Sequence, residues 1–142
     1  MSTFQFGDIV VGNNPWLNSL LGFHGLPGVL VHVGLYSSII SLFITEEKIT
    51  LMNDYIDKIN YKSEKANLKI GDLVELKTEI LTILNIEGIG IILEKKIITS
   101  SDFEGQITDD KIDAFLVYFN DMGCEYTIPC GCLRLFSPLK TD

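Results

Sequence analysis

The chain has 142 residues, of which 46% are hydrophobic, and it carries a formal charge of −8 at neutral pH. That length fits one ordinary domain or two modules of about 60 residues each. Residues 1–65 hold 4 basic and 6 acidic side chains, and residues 66–142 hold 7 and 13. Because neither half has the basic surface that a phosphate backbone attracts, the composition predicts that nucleic acid is not a partner.

The first half predicts five short strands, each a run of apolar or β-branched residues bounded by Gly, Ser or polar pairs. A bend at Gly7-Asp8 interrupts the first strand, and Glu46-Glu47 forms the tip of a hairpin between the third and fourth strands. The predicted strand ranges are 4–12, 28–33, 38–45, 48–53 and 54–59.

The second half repeats this order of parts after a polar linker at 62–69. Gly71-Asp72 repeats the bend, and residues 99–113 form a polar hairpin insertion that the first half lacks. The predicted strands are 70–77, a strand-like excursion at 79–87, 89–98, 114–120, 126–128 and 133–136. Self-similarity of this kind predicts a tandem duplication, with one β-module at 1–61 and a second at 70–142.

The 37 residues from Ile9 to Thr45 contain no Asp, Glu, Lys or Arg. A membrane-spanning segment is a poor explanation, because Pro, Gly and Ser interrupt the apolar run at 26–44 and no Lys/Arg cluster flanks it. Buried strands explain much of this stretch, but the loop at 13–26 is both apolar and uncharged. Two interpretations remain open: a partner protein buries the loop, or it folds back over its own barrel. Under the first, the partner-binding residues are Trp16, Leu17, Leu20, Leu21 and Phe23.

The strand at 114–120 is apolar on both faces, with Phe115, Val117 and Phe119 opposed to Leu116 and Tyr118. Such a strand is expected to be covered on both sides. An alternative function follows from the aromatic residues nearby, because a soluble adaptor could bind a peptide in an aromatic groove. The candidate residues for that groove are Tyr118, Phe119 and Tyr126.

The sequence contains no clear pattern of a catalytic or metal-binding site. Cys124, Cys130 and Cys132 lack the paired spacing of a zinc site, and Asp109 to Asp113 lack the calcium-binding loop of an EF-hand. His32 in the middle of a strand is more typical of a hydrogen-bonded side chain than of a catalytic base. The sequence therefore predicts no catalytic residue, no metal ion and no cofactor; a small metal-dependent enzyme built around the cysteines is kept as a third hypothesis.

Five strands per copy, a Gly-Asp bend, a long loop and a brief turn before the closing strand predict an all-β fold: two tandem SH3-like small barrels packed together. The second half, through 70–76, 88–94, 115–119 and 132–135, resembles the small SH3-like barrel proteins of tailed bacteriophages, particularly those of marine hosts. The resemblance implies a virion structural protein such as a head-decoration, neck or tail component. It also implies other virion proteins as partners, an oligomeric state within the assembly, no membrane partner, and a virion location after synthesis in the host cytoplasm. The N-terminus agrees with that synthesis, because residues 1–4 lack the positive start of a secretory signal.

Overall fold

The computed structural model describes residues 4–12, 27–61, 67–77, 80 and 88–136. Strands make up most of the regular structure, so the predicted all-β class is confirmed. The first five are β1 (Ile9–Gly12), β2 (Gly28–Val33), β3 (Ser37–Leu42), β4 (Lys48–Met52) and β5 (Ile56–Lys58). The second five are β6 (Leu73–Leu76), β7 (Gly90–Ser101), β8 (Ile107–Phe119), β9 (Cys124–Pro129) and β10 (Leu133–Leu135). Among the described residues, no helix has the length and apolar character needed to cross a membrane.

The ten strands form two five-stranded antiparallel sheets with the same internal order. The first sheet runs β4-β3-β2-β1-β5 and the second runs β9-β8-β7-β6-β10, so in both the first strand lies between the second and the last. A short 3-10 turn precedes the last strand of each sheet, at Asn53–Tyr55 and at Cys130–Cys132. Over the described residues, neither sheet closes into a barrel.

The Gly-Asp bends at the start of the two sheets have the same geometry. Gly7 has φ 93° and Gly71 has φ 94°, values that glycine adopts with little steric cost. The Asp8 carboxylate accepts a hydrogen bond from the Gln5 backbone N–H at 2.8 Å, and the Asp72 carboxylate accepts one from Lys69 at 2.8 Å. The strands predicted to begin at residues 4 and 70 therefore begin after the bends, at Ile9 and Leu73.

The chain divides into two compact units whose boundaries do not follow the sequence halves. The first unit comprises Met1–Asn60 together with Ile97–Ile112, and the second comprises Tyr61–Lys96 together with Asp113–Asp142. The polar hairpin predicted at 99–113 consists of the end of β7, the turn after it and the start of β8. Most of this hairpin belongs to the first unit. In that unit the Lys48 ammonium donates to the Thr99 carbonyl at 3.3 Å.

The core of the first unit lies on one face of its sheet. Its members are Val10, Leu30, Ile40, Leu42, Leu51 and Ile56, with Phe4 and Ile49 packed against them. The opposite face of β1 and β2 is covered as well, because Ile9 and Val29 pair directly across the strands and both are fully buried.

The second unit buries the same face of its sheet and leaves the other partly open. Val74 and Ile92 are buried on the core side, where Phe119 and Ile128 also lie. Leu73 and Ile91 occupy the register positions that match Ile9 and Val29, yet they are 45% and 37% exposed. Equivalent apolar positions therefore have different surroundings in the two units.

Candidate interaction surface

The predicted partner-binding loop lies outside the described residues. Trp16, Leu17, Leu20, Leu21 and Phe23 all fall between positions 13 and 26, so the prediction made for them stays a prediction. The first unit has a second apolar surface, which the sequence did not predict.

The connection between β2 and β3 exposes two large apolar side chains. Leu35 is 82% exposed and Tyr36 is 76% exposed, although a hairpin connection of this length usually carries Gly, Asn or Asp. Scattered apolar residues on a surface need no explanation, but a contiguous group of them commonly marks an interaction site. We call this group the apolar tip and define it by its members, which are Leu35, Tyr36, Met52 and Phe103.

The Asn53 side chain holds the backbone of the apolar tip in place. Its amide nitrogen donates to the Gly34 carbonyl at 3.1 Å and to the Leu35 carbonyl at 3.3 Å. Its amide oxygen accepts a hydrogen bond from the Ser38 hydroxyl at 2.6 Å, and its backbone N–H donates to the Tyr36 carbonyl at 2.8 Å. Because Asn53 donates hydrogen bonds to the carbonyl groups of Gly34, Leu35 and Tyr36, the backbone of the connection is ordered. An ordered backbone lowers the entropy that is lost when a partner binds to Leu35 and Tyr36.

Phe103 reaches the apolar tip from the hairpin between β7 and β8. Its ring meets the His32 ring edge-on, with centroids 4.6 Å apart and an interplanar angle of 88°. The same ring lies over Gly34, where an added Cβ would stand 2.8 Å from the Phe103 Cζ. The absence of a side chain at Gly34 therefore leaves room for the Phe103 ring beside the β2–β3 connection, close to the Ser37 carbonyl oxygen.

The three residues predicted to form a peptide groove do not share one exposed face. Phe119 and Tyr126 come together edge-on, with ring centroids 5.8 Å apart, but both are buried. Tyr118 is half-buried and points to the opposite side of β8, since successive side chains of a strand alternate. Two of the three therefore form a core contact of the second unit.

Cys124, Cys130 and Cys132 are free thiols, and burial favours the neutral form of Cys130 and Cys132. Burial raises the pKa of Cys132 to about 12, against weaker opposing effects of a hydrogen bond with Tyr61 and the charge of Lys77. Burial also raises the pKa of Cys130, and the nearby Asp113 carboxylate adds to that effect. A thiol with a raised pKa is a poor nucleophile and a poor metal ligand, because both roles need the thiolate.

The described residues include no group of three or more His, Cys, Asp or Glu side chains placed to hold a metal ion. Asp109 and Asp110 lie exposed in β8, and the His32 ring packs edge-on against the Phe103 ring.

Sequence reasoning missed the apolar tip because it concentrated on the longer uncharged loop. A usable signal was present, however: Leu35-Tyr36 stands in a turn position between Gly34 and Ser37, where polar residues are usual. Comparison with protein-family models and with curated protein sequences finds no match to this chain.

Proposed function

We propose that this chain is a structural protein that acts through protein–protein contacts and not through catalysis. The observation that carries the proposal is the apolar tip, where Asn53 fixes a backbone that presents Leu35 and Tyr36 to solvent. Fully burying one such side chain against a partner is worth about 1.5–3 kcal/mol. An ordered and strongly exposed pair of this kind suits a permanent docking role.

Each unit is proposed to be an SH3-like module, and the pair a tandem duplication. Two observations support this. In both sheets the first strand lies between the second and the last, and in both a 3-10 turn leads into the last strand. The matched bends at Gly7-Asp8 and Gly71-Asp72 add a third likeness between the two copies.

With the resemblance to small barrel proteins of tailed bacteriophages, the proposal becomes a virion component: a head-decoration, neck or tail protein that contacts other virion subunits. In the assembly it would be oligomeric, with synthesis in the host cytoplasm and a final location in the particle. The long uncharged stretch from Ile9 to Thr45 supports this reading, because large permanent interfaces are depleted in charge at their centres.

The test compares particles from a genome that carries this reading frame with particles from the same genome after its deletion. We expect electron microscopy to show a missing or unstable head, neck or tail feature, and gel analysis of gradient-purified particles to show the chain in the undeleted sample. Complementation with Leu35→Ser/Tyr36→Ser should restore the structure poorly, whereas Ile70→Ser, which alters a residue 60% exposed in the second unit, should restore it fully. Intact particles without the chain, and chain found only in the soluble lysate, would contradict the proposal and favour the adaptor alternative.

A further inference from the structure

Negative charge flanks the Phe103 member of the apolar tip. The segment 102–104 contains Asp102 and Glu104 but no Lys or Arg. Both residues directly adjoin Phe103 in the sequence, and consecutive Cα atoms are only about 3.8 Å apart. We call these two carboxylates the acidic rim.

One member of the acidic rim is fixed by the backbone around it. The Asp102 carboxylate accepts hydrogen bonds from the backbone N–H groups of Glu104, at 3.0 Å, and of Gln106, at 2.9 Å. The Gly105 N–H donates to the Asp102 carbonyl at 3.0 Å and completes the turn. The turn therefore sets the position of Asp102 next to Phe103, while the Glu104 side chain is exposed.

The acidic rim limits which surfaces can reach the apolar tip. Two copies meeting tip to tip would bring two pairs of carboxylates together, and like charges brought face to face disfavour a contact. An anionic membrane surface or a nucleic acid would meet the same repulsion. A protein surface with Lys or Arg around an apolar centre would gain from both features.

The size of the apolar tip indicates how strong this contact can be. Taking the exposed fractions of its four side chains with ordinary side-chain areas gives on the order of 400 Å². A stable interface between two proteins buries about 800 Å² on each partner. A single tip therefore makes a weak contact, which gains strength when many copies bind side by side in an assembly.

We infer that the apolar tip docks on a different polypeptide, at an apolar site bordered by Lys or Arg. This inference rests on the proposed docking function and adds the class of partner. The apolar side chains supply the affinity, and the acidic rim supplies the selection among partners and the rate of encounter. Exposed ion pairs are individually weak, so the loss of one carboxylate should change the affinity by only about threefold.

The experiment titrates the full chain, labelled with ¹⁵N, with three synthetic peptides that share the same Leu and Trp residues and differ in their spacers, which are arginine, glutamine or glutamate. We expect the arginine peptide to shift the amide signals of Leu35, Tyr36 and Phe103 and to bind about tenfold more tightly than the glutamate peptide. Raising the salt concentration should reduce that difference.

Three variants locate the effect. Leu35→Ser/Tyr36→Ser should remove binding of all three peptides at the tip. Glu104→Gln should weaken the arginine peptide about threefold and leave the glutamine peptide unchanged, whereas Glu125→Gln, an exposed carboxylate of the second unit, should change neither. Each variant should keep the remaining amide signals of the native chain.

Four outcomes would overturn the inference: equal binding of the arginine and glutamate peptides at the tip, no peptide shift at the tip, concentration-dependent shifts of tip amides without peptide, or co-sedimentation with phosphatidylglycerol vesicles that the double variant abolishes. The first of these removes only the partner class, because the docking role would survive it. The particle comparison tests that role separately.

Discussion

The two sheets share a strand order and an opening bend, yet they differ in how completely their outer faces are covered. Ile9 and Val29 are fully buried, whereas Leu73 and Ile91, in the matching register positions, are 45% and 37% exposed. All four are large aliphatic residues. The difference teaches that strand order and residue type together do not determine whether an outer face is covered.

The units also distribute their exposed apolar side chains differently. In the first unit the two largest exposures, at Leu35 and Tyr36, are neighbours in the apolar tip on a backbone fixed by Asn53, while Ile97 and Ile107 are also strongly exposed on the β7–β8 hairpin. In the second unit moderate exposures are spread along the sheet and its bend, at Ile70, Leu73, Ile91, Leu93 and Leu135. A concentrated patch on an ordered backbone is the better docking surface, because less area of the partner has to be shaped to match it.

The largest expected effect comes from placing a charge on the two outer faces. Val29→Asp would bury an unpaired carboxylate and should lower the free energy of unfolding by about 4 kcal/mol or more. Ile91→Asp leaves its carboxylate in contact with water and should cost about 1 kcal/mol. Urea unfolding followed by circular dichroism measures both, and equal losses in the two variants would show that the outer faces are covered alike.

The next effect compares two glycines at matching register positions. An added Cβ at Gly28 would collide with the Ile40 side chain and come within 2.7 Å of the Ser41 carbonyl oxygen, which the sheet holds in place. At Gly90 the nearest atoms it would meet belong to the side chains of Val117 and Phe119 and not to the backbone. We expect Gly28→Ala to cost about 3 kcal/mol and Gly90→Ala about 1–2 kcal/mol in thermal unfolding.

The control for the glycine comparison is a pair of variants without a steric clash. Gly71→Ala meets open space and Gly7→Ala meets only an ordinary contact with Ile112, but both positions have φ near 93°. Each should therefore cost about 1 kcal/mol from backbone conformation alone. If Gly28→Ala cost no more than these controls, the close approach of β2 and β3 would be contradicted.

The smallest effect is a change of stability with pH, and it concerns the second unit alone, because the described cysteines and Tyr126 all lie in it. Burial raises the pKa of Cys132 from its ordinary 9.0 to about 12, and burial together with a hydrogen bond to Cys124 raises that of Tyr126 from 10.0 to about 12. In the unfolded chain these groups lose their protons first, so the stability is complete below about pH 9 and falls as the pH rises toward 12. Urea midpoints of the wild type and of Cys132→Ala across this range should show a shallower decline in the variant, whose starting stability is lower.

A decline of equal slope in both proteins would contradict the buried position of Cys132. Alkylation with iodoacetamide provides a second reading, since Cys132 should react only when the second unit opens. Cys124 and Cys130, which are half-buried, should react faster. The position of each modified thiol follows from mass spectrometry of peptides.

Several local features could be predicted from the sequence because they depend on short patterns. The strand from Gly28 to Val33 has the predicted bounds, and the turn between β3 and β4 includes Glu46, whose φ is 58°. The alternation in β8 also follows the pattern: Phe115, Val117 and Phe119 are buried, and Leu116 and Tyr118 are half-buried. Side-chain alternation is a property of a single strand and needs no knowledge of its neighbours.

Other features depend on contacts that a single sequence does not display. The polar stretch at 99–113 is predicted as a hairpin insertion, and the strands of that hairpin are longer than expected: β7 continues to Ser101 and β8 starts at Ile107, since exposed strand pairing needs no apolar residues. The apolar tip was missed because its order comes from Asn53, 18 residues beyond Leu35. The partner-binding loop at 13–26 and most of the linker at 62–69 lie outside the described residues.

The far end of the β7–β8 hairpin has a consequence for how the protein is made. Residues 97–112 belong to the first unit, where Phe103 contacts His32 and the Thr99 carbonyl accepts from Lys48. A ribosome must therefore translate as far as residue 112 before all the parts of the first unit exist. The core residues of the first unit, all between positions 4 and 56, are made first, but the folding of this unit cannot be completed until the later hairpin has joined it.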